Sequence, residues 1–169
     1  MTISARDAPA RSSPLAIYLN DHLGGSTAGL ELARRTARAH RGTPAGEVLG
    51  RIVAEIAEDM EALLRIMRAL GVPVQRYKMA VGWVSEKAAR LKPNGRLLRR
   101  SPLSSVIELE SLRIGIEGKA AGWRALRIVA ARDARLDAAP LDRLLVRAGE
   151  QADTVEELRL RAAAEAFTP

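Results

Sequence analysis

Pairs of a hydroxyl residue followed by proline constrain this chain more than any other feature. Ser13-Pro14, Thr43-Pro44 and Ser101-Pro102 each set a side-chain oxygen where a helix N-cap needs one. The proline then falls at the first helical position, where its missing N–H costs nothing. Asp137 with Pro140 is a looser version of the same signal. No proline interrupts the segments that follow, and Gly42 and Gly71-Val72-Pro73 supply stops. The spacing predicts helices at 14 to 40, 44 to 70, 102 to 136 and 140 to 166. Three of these have nearly equal length, ~40 Å at 1.5 Å per residue.

The apolar residues repeat with a helical period. Leu49, Ile52, Val53, Ile56, Met60, Leu63, Met67 and Leu70 form one stripe on the second helix, leaving Arg51, Glu55, Glu58, Arg65 and Arg68 for water. The last helix repeats the pattern through Leu141, Leu145, Ala148, Ala152, Val155, Leu158 and Ala162. The third carries two lines. Leu109, Leu112, Ile116, Ala120, Trp123 and Ala130 make the first, and Ile107, Ile114, Ala121, Ala125 and Ile128 the second. A helix apolar on two sides needs a second neighbour, either the preceding crossover or another subunit in a homo-oligomer.

Links of two or three residues make the first and last helix pairs antiparallel. Between the second and third helices lie about 30 residues, 71 to 101, with a predicted helix at 75 to 91 and the turn Lys92-Pro93-Asn94-Gly95. Helix plus extended chain can span a ~40 Å bundle, so the second and third helices can run parallel. The expectation is an all-α, ferritin-like up-down-down-up four-helix bundle: a disordered tail at 1 to 13, then a single domain from 14 to 169. Without cysteine, disulfides and thiolate sites are excluded. Without an apolar run of ~20 residues or a signal-like start, the chain reads as soluble and cytoplasmic.

YLNDHL, Tyr18 to Leu23, followed by GLELARR, Gly29 to Arg35, with a long crossover before the third helix, resembles a family of ferritin-like four-helix-bundle proteins with no established activity. The resemblance covers nearly everything after residue 14. It implies the fold and brings no function.

Ferritin-like di-iron proteins place one Glu on each of two helices and Glu-x-x-His on the other two. Here both histidines, His22 and His40, fall on the first helix. Glu55, Glu58, Glu150 and Glu157 fall off the apolar stripes at 100° per residue, and only Asp59 sits at a stripe edge. No metal, cofactor or catalytic residue is expected, and a degenerate or remodelled di-metal oxidase ranks third among the functional readings. Ser26, His22 and Asp21 are too close on one helix to converge as a triad. His22 does lie on the apolar stripe, with Ser26 one turn on and Gln151 on the last helix as candidate partners in a polar core pocket.

The leading functional expectation is a non-enzymatic binding or structural protein. The second is a polyanion-binding module. Arg76, Lys78, Lys87, Arg90, Lys92, Arg96, Arg99 and Arg100 oppose only Glu86 in residues 74 to 100, which equals the +7 of the whole chain. With Tyr77 and Trp83 interleaved, that segment suits nucleic acid phosphates or an anionic membrane face. Finally, Gly25 and Gly29 on the first helix and Gly118 and Gly122 on the third suggest close helix packing, the alternative being that they line a pocket or an intersubunit surface. Gly29→Leu is then expected to destabilise by ~1 to 3 kcal/mol through overpacking.

Overall fold

A computed structural model describes residues 13 to 75 and 101 to 168. Among the described residues there are four helices and no strand: α1 (Pro14–Ala39), α2 (Pro44–Ala69), α3 (Pro102–Ala130) and α4 (Ala138–Phe167). The helix expected at 75 to 91, the turn after it and the N-terminal tail to residue 12 lie outside the described residues.

The starts follow the cap chemistry. The Ser13 hydroxyl accepts from the Ala16 amide at 3.1 Å, Thr43 accepts from Gly46 and Asp137 from Ala139. Ser101 holds the N-cap position without a side-chain hydrogen bond, so proline and position suffice there. Gly42 and Gly71 have φ of 78° and 70°, the left-handed conformation that glycine adopts without Cβ strain when a helix ends.

α3 stops at Ala130 rather than at 136, and the link to α4 is longer than the two or three residues expected. Asp133 explains the stop. Its carboxylate takes the Arg135 guanidinium and the Arg135 amide, and its carbonyl accepts from Leu136, closing a turn that tucks Leu136 into the core. These contacts, above all the side-chain bond from Arg135, lower the Asp133 pKa to about 2. Arg135 also reaches the Leu70 carbonyl at 3.1 Å, fastening this turn to the end of α2.

α1 packs on α2 and α3, and α4 packs on α3 and α2, while the pairs α1/α4 and α2/α3 stand on the diagonals. Directions follow from cross-helix pairs. His22 lies against Gly122 and Arg35 approaches Glu108, so α1 and α3 are antiparallel. Arg147 meets Glu58 and Gln151 meets Glu55, so α2 and α4 are antiparallel as well.

The stripe on α2 is the core stripe, with Leu49, Ile52, Ile56, Leu63 and Met67 buried. On α3, Leu109, Leu112, Ile116, Ala120 and Trp123 are buried, joined by Val106 and Leu126. Its second line stays open among the described residues, with Ile107, Ile114 and Ile128 all more than half exposed. The α3/α4 seam is the most extensive and the α2/α4 seam the least. Arg147 with Glu58 and Asp59, and Gln151 with Glu55, bridge the α2/α4 seam.

Candidate functional site

Two features meet at mid-bundle, and Lys119 belongs to both. The first is a buried polar cluster. Asp59 of α2 is 1% exposed and takes two cations: its Oδ2 accepts from Lys119 Nζ at 2.5 Å, and its Oδ1 accepts from Arg147. Lys119 Nζ also donates to Gln151 Oε1 at 2.5 Å, and Gln151 Nε2 donates to Glu55 at 2.9 Å. Arg147 spends its other nitrogen on Glu58 at 2.8 Å.

Every buried polar atom named here thus has a partner, as a low-dielectric site requires. Burial is the largest influence on Lys119 and lowers its pKa, opposed by the Asp59 carboxylate. Three carboxylates face two cations, so the cluster carries one formal negative charge.

The second feature is a groove of about 380 Å³ between α1 and α3, lined by Tyr18, His22, Gly25, Gly29, Gly118 and Lys119 among others. The Tyr18 ring meets His22 edge-on, with centroids 4.3 Å apart. Below the groove, Trp123, Leu126, Leu63 and Leu19 close a recess of about 10 Å³ that shares His22, Ser26 and Lys119 with it. Trp123 is 3% exposed, yet its indole Nε1–H has no hydrogen-bond partner among the described residues.

The glycines do not serve the packing expected of them. A Cβ built at Gly25, Gly29 or Gly118 meets nothing within 4 Å among the described residues, so no backbone of α1 or α3 presses on them across the seam. Small residues line both walls, and the space between the helices stays open because no side chain there is long enough to fill it. Gly122 differs, since a Cβ there would lie 3.1 Å from the His22 ring. Ser26 and Thr27 sit mid-helix by donating their hydroxyls back to the His22 and Leu23 carbonyls, four residues earlier.

His22 and Ser26 share the groove and recess, whereas Gln151 stands on the far side of Lys119 and bonds to Lys119 and Glu55 rather than to His22. The assignment of Glu55 to water also needs correcting, because it is half-buried against Gln151. Lys119 and Arg147 were missed altogether. Lys119 sits one residue before the stripe residue Ala120, and Arg147 one before Ala148, and that adjacency was the available signal. The eight cationic candidates Arg76, Lys78, Lys87, Arg90, Lys92, Arg96, Arg99 and Arg100 lie outside the described residues. Among the described residues, no three His, Asp or Glu side chains are grouped to hold a metal ion.

Burial lowers the His22 pKa below its ordinary 6.5, with the Asp21 carboxylate opposing. The unfolded chain therefore binds a proton at higher pH than the native one does. Stability from this group is complete above about 6.5 and falls as pH drops through that value, until the native imidazole protonates too. Urea titrations at pH 7.5 and 5.5 should show a smaller difference for His22→Gln than for the parent; equal differences would remove His22 from the account.

No family model, curated protein or solved structure matches the chain. No helix among the described residues is long and apolar enough to cross a membrane.

Proposed function

We propose a non-enzymatic binding protein built on a ferritin-like up-down-down-up bundle, with the α1–α3 groove as its small-molecule site. The helix pairings and directions above support that arrangement. Ferritin-like enzymes bring carboxylates together at mid-bundle around metal ions. In this chain Lys119 and Arg147 supply positive charge to Asp59 in that region, which supports a bundle that needs no metal to hold its carboxylates.

The observation that carries the reading is the open space at Gly25, Gly29 and Gly118. A helix-interior glycine costs ~1 kcal/mol relative to alanine. Three such glycines that accommodate no neighbour keep a volume open at the expense of stability, at the small end of the ~300 to 1,000 Å³ usual for ligand sites. Nile red, an uncharged environment-sensitive dye, should show blue-shifted emission with the parent protein. The shift should be lost in Gly29→Leu/Gly118→Leu; dye response unchanged in a folded double variant would place the site elsewhere.

The charge of residues 74 to 100 favours a second reading, polyanion binding. Replacing Arg96, Arg99 and Arg100 by Gln should weaken binding of random-sequence DNA. It should also flatten the log–log salt dependence by up to ~0.9 for each phosphate that is no longer neutralised. Identical affinity and slope in the triple variant would discount this reading.

A further inference from the structure

We propose that the α1–α3 groove takes an uncharged molecule with an apolar body and a carbonyl oxygen, the oxygen seated at the Trp123 recess. The proposal rests on the reading of the groove as a binding site. An indole N–H can only donate, and that of Trp123 is buried beneath the groove with no acceptor. The Lys119 ammonium has three N–H bonds, of which two are directed at Asp59 and Gln151, leaving one. The Ser26 hydroxyl proton is committed to the His22 carbonyl. The recess therefore holds unused N–H bonds on Trp123 and Lys119.

Charge decides what kind of acceptor fits. The Lys119 charge is already met by Asp59, and the cluster behind it holds three carboxylates, Glu55, Glu58 and Asp59, against Lys119 and Arg147. A ligand carboxylate would face that excess of negative charge. A ligand ammonium seated at the recess would aim donors at the Trp123 and Lys119 donors, since the Asp21 carboxylate lines the groove outside the recess. A carbonyl oxygen satisfies the unpaired N–H bonds without adding charge, and the glycine walls with Ile116 suit an apolar body. The segment of α1 that lines the groove, Tyr18 to Gly29, is ~16 Å long at 1.5 Å per residue, enough to lie alongside an extended chain.

The test uses the full chain, labelled with ¹⁵N, titrated with N,N-dimethyloctanamide, octanoate and octylammonium. The Trp123 indole resonance is followed, distinguished from that of Trp83 with Trp83→Phe. The amide should shift that resonance saturably and bind at least tenfold more tightly than either ion, and Gly118→Leu should abolish its binding. If Gly118→Leu does not fold, Gly29→Leu on the opposite wall replaces it. Octanoate or octylammonium binding as tightly as the amide, still blocked by the glycine variant, overturns the ligand class and leaves the groove as a site. So does amide binding that leaves the indole resonance unmoved. Binding indifferent to the glycine variants, or no binding by any of the three, overturns the site and the class together.

Discussion

Asp59→Leu should cost about 3 to 5 kcal/mol of unfolding free energy, the usual penalty for stripping one partner from a buried ion pair. The loss comes from what stays behind. Lys119, with only 12% of its side chain exposed, would keep a buried ammonium with Gln151 as its one polar partner. Arg147 is less affected, because it is more exposed and retains Glu58. Such a loss is a large part of the ~5 to 15 kcal/mol that holds a domain of this size.

Two controls make the result interpretable. Asp142→Ala, which removes an exposed pair with Arg127, should change stability by no more than ~1 kcal/mol. The triple variant Asp59→Leu, Lys119→Met, Arg147→Met should recover part of the loss, since apolar groups of similar size remove the desolvation penalty together with the attraction, while Gln151 Oε1 loses its Lys119 donor. Urea unfolding monitored by circular dichroism gives all of these values. An Asp59→Leu protein within ~1 kcal/mol of the parent would mean that the cluster contributes little to holding α2, α3 and α4 together.

The glycine variants should move stability the other way. Gly25→Ala, Gly29→Ala and Gly118→Ala are each expected to stabilise by up to ~1 kcal/mol, because the added methyl meets no neighbour and the helix loses a flexible residue. The three substitutions act at separate points on the groove walls, so the combined variant should gain ~2 to 3 kcal/mol and melt several degrees higher. Gly122→Ala should gain less than the other three, because its methyl lies 3.1 Å from the His22 ring, which must shift to admit it. Open space at Gly29 thus removes the overpacking that close contact of α1 on α3 had implied for a larger residue there. Thermal melts of the four single variants check the pattern, and a gain at Gly122 larger than at the other three, or losses at those three, would contradict the groove geometry.

Much of this protein is written in neighbouring residues. The starts of α1, α2 and α3 and the ends of α1 and α2 came from Ser13, Thr43, Ser101, Gly42 and Gly71, whereas Asp137 caps α4 at Ala138, two residues before the start expected at Pro140. Caps and left-handed turns are settled within a few residues of chain, and so were readable. The stripe of α2 was legible for the same reason, since 3.6-residue periodicity assigns a face without reference to any partner.

The end of α3 was not legible, because nothing in the apolar pattern announces the side-chain turn that Asp133 and Arg135 make. The site was less legible still. A residue on the flank of a stripe, such as Glu55, Lys119 or Arg147, faces water if the adjacent helix is close and narrow, and faces a partner if the seam is wide. The second apolar line of α3 invited a neighbour that the described residues do not supply. The glycines of α1 and α3 read equally well as a close contact or as the walls of a groove. Local sequence determined which residues are helical and which face turns inward. The separation of the helices determined whether the flanks form a polar cluster, a contact or an opening, because that distance is set by the packing of all four helices together.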